Sequence, residues 1–282
     1  MTSPLPFHRI RRVAVLGSGV MGSALACHLA QCGAEVLLLD LPSDEGPRDK
    51  VAAGHLAKSL KSKPSPIYSK RFAGRIETGN FDDDLHKVAN CDWILEVVVE
   101  RLDIKQQLYE RVEAHRTPGT FITTNTSGIP IAMLAEGRSE DFRLHFCGTH
   151  FFNPPRYLQL LEVIPGPDTK QEVLDFFTGY GERILGKQSV LCKDTPAFIA
   201  NRVGVFAIQA LFHAVEDMGL TVEAVDKLTG PAMGRPKSAT FRTCDVVGLD
   251  TLVHVAKGVA DHCPNDERSE VFAIPSYVKH LV

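Results

Sequence analysis

Short apolar runs alternate with longer stretches of helical period through the first two thirds of the chain. Runs at residues 13–16, 36–39, 92–100, 121–124, 142–152, 158–164 and 189–192 read as buried strands. Between them, residues 24–31, 50–63, 101–115, 129–136 and 171–185 carry the spacing of helices with one apolar face. Nearly continuous apolar strands, each followed by a helix, predict an α/β domain with a mostly parallel sheet. At Asp194-Thr195-Pro196 the pattern changes. Thr195 and Pro196 suit the N-cap and first position of a helix over 197–218, closed by Gly219. A capping signal at Thr221 opens another helix, a Gly/Pro loop covers 230–237, and a further helix is predicted over 248–263. The expected boundary lies near Lys193, with an α/β domain over 1–193 and an all-helical domain over 194–282.

The first strand run enters Gly17-Ser-Gly19-Val20-Met21-Gly22. A helix follows, and the second strand run ends at Asp40, about 20 residues past the glycines. This order specifies a Rossmann-like dinucleotide-binding domain. Gly17 permits the tight turn, Gly19 lets the backbone approach a pyrophosphate, and Gly22 lets helix and strand pack closely. The helix N-terminus offers unpaired amides and a positive dipole end to phosphates. Val20 and Met21, within the turn, join the expected cofactor-binding set. Asp40 would accept from a ribose 2′-hydroxyl and repel a 2′-phosphate, which favours NAD over NADP. A tight turn with no ligand is the competing reading, and the complete strand, turn, helix, strand and acid context outweighs it.

Other strand ends carry polar residues. Glu100, Asn125 and Ser127 all fall at carboxyl ends of predicted strands, where open α/β sheets bind ligands; Ser127 equally suits a helix N-cap. His150 lies in an apolar run, Asn153-Pro154-Pro155 gives a turn signal, and Glu162 stands in the next run. If that turn reverses the chain, His150 and Glu162 are borne on adjacent strand ends. The carboxylate could then hold the imidazole's tautomer and stabilise its protonated form. Taken alone, His150 reads as a packed strand histidine, and the cofactor fingerprint upstream shifts that reading toward proton transfer. Lys58, Lys61 and Lys63 cluster at the end of a predicted helix. They either complement its dipole or form a patch for a phosphate-bearing substrate tail.

Composition narrows the classes. With 282 residues, 44% hydrophobic and 23% charged, the chain suits a globular protein with an ample core. A net charge of -3 argues against sequence-independent binding to nucleic acid. No run approaches the roughly 20 apolar residues of a membrane helix, and residues 1–12 hold no leader-like apolar segment. The seven cysteines form no CxxC pair and are odd in number, which suggests neither a disulfide framework nor zinc and points to a reducing, cytoplasmic location. The eleven histidines show no HExxH spacing, so no metal is expected.

The stretches GSGVMG, EVVVERLDIK, NTSGIP, HFFNPP with Glu162, FIANR and GPAMGRPKSATFRTCDVVGLD occur in this order along nearly the whole chain. In them the chain resembles the L-3-hydroxyacyl-CoA dehydrogenases of fatty-acid β-oxidation. Its wording is most similar to the NAD-binding part of long bacterial members, in which a hydratase-like region follows. The resemblance implies NAD as cofactor and an acyl-CoA substrate. It implies His150 as general base, Glu162 as its support, and Ser127 and Asn201 as hydrogen-bond donors to the substrate oxygen. Asn153 would fix site geometry, and Glu100 and Lys105 would contact the cofactor beside Asn125. The lysine cluster, Lys58 and Lys61 included, falls where the family meets coenzyme A. The helical domain would mediate a homodimer. In the family that domain continues past the segment IPSYVKHLV, so the resemblance also implies a portion of a longer protein. The competing expectations are a non-catalytic NAD-binding member and a dehydrogenase of CoA-free hydroxy acids.

Overall fold

The computed structural model describes residues 10–281; most of the stretch read above for a leader, and Val282, lie outside them. The chain forms two compact units, one ending at Asp194 and the other beginning at Thr195. In the first, eight strands form one sheet: β1 (Arg12–Leu16), β2 (Glu35–Asp40), β3 (Ile76–Asn80), β4 (Trp93–Glu96), β5 (Phe121–Thr124), β6 (Phe146–Phe151), β7 (Leu160–Pro165) and β8 (Gln188–Leu191). Their spatial order is β3-β2-β1-β4-β5-β6-β7-β8. Every pair is parallel except β6 with β7. The expected mostly parallel α/β sheet is therefore what the chain forms. The order reverses between β1 and β4, which opens a crevice at their carboxyl ends, the place where such sheets take ligands.

The helices of this unit are α1 (Val20–Gln31), α2 (Lys50–Ser59), α3 (Leu102–Glu113), α4 (Ile131–Ala135), α5 (Glu140–Leu144) and α6 (Gln171–Arg183). Alternate strand residues, among them Val13, Val36 and Trp93, pack with Leu25 and Leu29 of α1 and Phe177 of α6 in one cluster. Trp93 lies 5.1 Å from Phe177 and donates from its indole nitrogen to Thr123 Oγ1 at 2.8 Å. Thr149 Oγ1 donates to the same oxygen at 2.8 Å, so β4, β5 and β6 are tied by one buried polar chain. The second unit holds α7 (Ala200–Met218), α8 (Val222–Thr229), α9 (Phe241–Val247), α10 (Leu249–His262) and α11 (Ser276–Lys279). It packs Val205, Phe212 and Val215 of α7 with Val225, Phe241, Leu252 and Ala256. No helix among the described residues is long and apolar enough to cross a membrane.

Several boundaries differ from the sequence expectations, each for a local reason. The run at 92–100 leaves the sheet after Glu96, because the Glu96 carboxylate turns back to accept from Val98 N at 2.7 Å. The run at 142–152 is a helix before it is a strand: Ser139 caps α5 by accepting from Phe142 N, and Glu140 and Asp141 occupy its first turn. The helix over 50–63 stops at Ser59. The helix expected over 197–218 begins at Ala200, since Ala197 and Phe198 take positive φ angles of 60° and 49°. Strand β3 has no counterpart in the sequence reading, because Ile-Glu-Thr-Gly-Asn at a sheet edge carries little apolar signal. Helix α9 was likewise not expected. Gly219 closes α7 in the left-handed conformation and Thr221 caps α8, in line with the sequence signals.

One buried side chain makes stability depend on pH. His28 of α1 lies against Leu185 O at 3.1 Å and Gln31 Nε2 at 3.1 Å. Burial, then the nearby Lys187 charge, lowers its pKa from 6.5 to about 4, although the Leu185 contact opposes the shift. Between pH 6.5 and about 4 the unfolded chain binds a proton that the folded chain refuses, so stability falls as pH drops through this window. The loss expected from His28 is roughly 3 kcal/mol. Urea denaturation at pH 7.5 and 4.5 should give a smaller pH difference for His28→Gln; an unchanged difference would remove His28 as its source.

Candidate active site

The crevice begins at the turn after β1. Gly17 has φ +102°, and a Cβ on it would lie 2.7 Å from Val97 O. A Cβ on Gly22 would lie 1.8 Å from Gly17 O, so the approach of α1 to the turn depends on its absence. Around Gly19 there is open space for an added atom, and α1 starts there with no side chain capping its amides. Val20 is exposed and Met21 packs partly against the core. Asp40 ends β2 and accepts from Ser18 N at 2.6 Å, Ser18 Oγ at 2.5 Å and Leu41 N at 2.7 Å. Uncapped amides, an open glycine and a carboxylate at the second strand end fit a dinucleotide with a free ribose 2′-hydroxyl.

A second polar system lies at the ends of β4 and β5. The Glu96 carboxylate is fully buried and accepts from Lys105 Nζ at 2.7 and 3.0 Å, Tyr109 OH at 2.6 Å and Thr124 Oγ1 at 2.7 Å. Burial, and next the Glu96 charge, push the Tyr109 pKa well up, so the phenol remains a donor. Lys105 Nζ also reaches Glu100 Oε2 at 3.2 Å and Val98 O at 3.4 Å. At 1% exposed, Lys105 thus stands behind Glu100 rather than at the surface. Glu100 Oε1 accepts from Thr126 Oγ1 at 2.6 Å, Ser127 N at 2.7 Å and Gly128 N at 3.1 Å. Burial opposes the Glu100 charge, but Lys105, Thr126 and the Ser127 amide outweigh it and hold its pKa below the usual carboxylate range. Glu100 therefore shapes the turn that presents the exposed Ser127. Ser127 caps no helix: the first amides of α4, at Ile131 and Ala132, donate to Asp194 instead.

The third group is on the antiparallel pair. His150 of β6 stands opposite Glu162 of β7, and His150 Nδ1 lies 2.7 Å from Glu162 Oε2 with both side chains buried. Asn125 Oδ1 accepts from Phe151 N at 2.8 Å, which ties the end of β5 to the residue after His150. The following turn, with a cis Asn153–Pro154 peptide, is held by Lys187, whose buried ammonium donates to Pro155 O and, at 2.8 Å, to Leu158 O. Burial lowers the pKa of Lys187. A cavity of about 410 Å³ lies beside this turn, lined among others by Gly19, His55, Lys58, Lys63, Asn153 and Arg156. Lys61 is exposed and does not line it. Asn201 lies in the first turn of α7, in the second unit. Among the described residues no three His, Cys, Asp or Glu side chains are grouped to hold a metal ion.

Sequence reasoning did not single out Glu96, Tyr109, Lys187, Arg156 or His55. Glu96 ends an apolar strand run, which is a readable signal for a buried carboxylate in need of a partner. The others act through long-range contacts that no local pattern announces.

The fold and its glycine turn define the class of NAD-binding Rossmann-type domains. Residues 12–195 match the family description "3-hydroxyacyl-CoA dehydrogenase, NAD binding domain", and residues 198–281 match "3-hydroxyacyl-CoA dehydrogenase, C-terminal domain". A probable 3-hydroxyacyl-CoA dehydrogenase of Bacillus subtilis is 48% identical over 97% of this chain, and a protein of the same description from Deinococcus radiodurans is 46% identical over 97%. The chain spans 36% of the length of the former and 79% of the latter. The crystal structure of FadB2 from M. tuberculosis superposes with a TM-score of 0.82 at 27% identity, covering 96% of this chain and 93% of that one. The chain belongs to the 3-hydroxyacyl-CoA dehydrogenase family, as its motifs led us to expect, and its cofactor is NAD.

The buried Glu96–Lys105 pair is directly testable. Lys105→Met should destabilise the fold by about 3–5 kcal/mol, because it strands a buried carboxylate. Adding Glu96→Gln should recover much of that loss. A cost below about 1 kcal/mol for Lys105→Met in urea denaturation would show that the pair does not hold this end of the sheet.

Proposed function

We propose that this chain oxidises the 3-hydroxyl of an L-3-hydroxyacyl-CoA to a ketone, and reduces it in reverse, as a step of fatty-acid β-oxidation. The observation that carries the reading is the buried His150–Glu162 pair, in the same sheet whose β1 and β2 ends bear the glycine turn and Asp40. Removing two hydrogens from a secondary alcohol divides into a proton from oxygen and a hydride from carbon. Bound NAD supplies the acceptor for the hydride.

His150 takes the proton. With its Nδ1 proton donated to Glu162, the basic lone pair resides on Nε2, and the carboxylate stabilises the imidazolium formed when Nε2 accepts the hydroxyl proton. In reverse, the same imidazolium polarises the ketone and returns the proton. Ser127 hydrogen-bonds the substrate oxygen as its charge develops. Asn125, through Phe151 N, and Lys187, through the turn at 155–158, keep the end of β6 fixed. Asn153 then has a defined position beside the cavity. The cations Lys58, Lys63 and Arg156 along that cavity suit the phosphates of the CoA portion.

Oxidation of NADH by acetoacetyl-CoA, followed at the reduced nicotinamide absorbance, tests the reading. His150→Ala should lower kcat by roughly 10²–10⁴-fold while leaving NADH affinity nearly unchanged. Glu162→Gln should lower it less and displace the pH profile. Turnover retained by His150→Ala would remove His150 as the base. Free 3-hydroxy acids outcompeting their thioesters would replace the substrate class.

A further inference from the structure

Asp40 is already heavily engaged by the protein itself. A carboxylate offers about four lone-pair sites. Three are filled by the protein itself: Ser18 N and Ser18 Oγ on Oδ2, and Leu41 N on Oδ1. A ribose presents two adjacent hydroxyls, the 2′ and the 3′, and one vacant site can accept only one of them. The two backbone amides are fixed by the turn and by chain continuity. The Ser18 hydroxyl is the one donor that can rotate away.

It has somewhere to go. His55, on α2, places Nδ1 2.9 Å from Ser18 Oγ and 4.0 Å from Asp40 Oδ2. Ser18 carries one hydroxyl proton, and at 2.5 Å from a carboxylate oxygen that proton points to Asp40. The contact with His55 then has Nδ1–H donating to Ser18 Oγ. Rotation of the hydroxyl reverses the second bond: His55 keeps its proton on Nε2, and Nδ1 accepts from Ser18. The His55 side chain is 49% exposed, so solvent can exchange the proton between its two nitrogens. Ser18 is fully buried and retains a partner in both arrangements. His55 also lines the cavity that Gly19 opens into, which puts this exchange at the edge of the cofactor turn.

We propose that the Ser18 hydroxyl is handed from Asp40 to His55 when the cofactor ribose binds, and that His55 is thereby a positioning residue for NAD. His55 acts through Ser18 and need not touch the cofactor. It supplies the acceptor that lets Asp40 release one protein donor without leaving a buried hydroxyl unpaired. The inference rests on NAD binding at the glycine turn, and its test separates the two.

NADH affinity, measured by fluorescence titration without substrate, is the readout. His55→Ala should weaken binding roughly three- to tenfold, the effect of one net hydrogen bond. His55→Gln, whose amide oxygen can accept from Ser18, should recover most of the loss. In a Ser18→Ala background Asp40 has no hydroxyl to release, so adding His55→Ala should change affinity by less than about twofold. An equal loss from His55→Ala in both backgrounds would overturn the handover and make His55 a direct contact. No effect of His55→Ala in either background would overturn it as well. Absence of NADH binding by the unsubstituted chain would instead overturn the cofactor reading beneath it.

Discussion

The Glu96 carboxylate holds the ligand side of the sheet together. It ends a central strand, is fully buried, and takes donors from α3, from β5 and from the backbone that follows it. A buried carboxylate is tolerated only when such donors surround it, so its neighbours are held to narrow positions. Lys105 passes the constraint on to Glu100, and Glu100 passes it to the amides of Ser127 and Gly128. A turn that leaves the sheet for solvent is fixed in this way from beneath by one chain of charges.

The His150–Glu162 pair is fixed by a different device. Antiparallel pairing sets the two residues opposite each other, so register alone brings imidazole and carboxylate to hydrogen-bond distance. A one-residue slip of either strand would put the two side chains on opposite faces of the sheet, and the polar chain from Trp93 through Thr123 to Thr149 helps pin the register of β6. Cys192, at the end of β8, is held as an inert thiol; burial first, and then the Glu162 charge, push its pKa up to about 12.

The cofactor side depends on absence as much as on contact. Gly22 has no Cβ where Gly17 O must lie, and Gly19 leaves space open. Asp40, Ser18 and His55 then form a small exchangeable network over that space. Rigid charge pairs under the β4–β5 ends and a rotatable hydroxyl beside β2 suit different tasks, the first holding a turn in place and the second letting a ligand replace a protein contact.

Periodicity and turn chemistry determined the parallel sheet, the glycine turn with its acid, and the change to helices near residue 194, because each rests on neighbours close in sequence. His150 and Glu162 were legible as candidates since the Asn-Pro-Pro turn between them is local. The polar edge strand β3, the helix at 140–144 and the late start of α7 were not legible, because sheet pairing, a single capping serine and two residues of positive φ decide them. The partners of Lys105, the hold of Lys187 on the turn after β6 and the meeting of His55 with Ser18 belong to tertiary structure alone. The last two join residues far apart in the chain, and in all three which donor meets which acceptor is settled only when the sheet and its helices have packed.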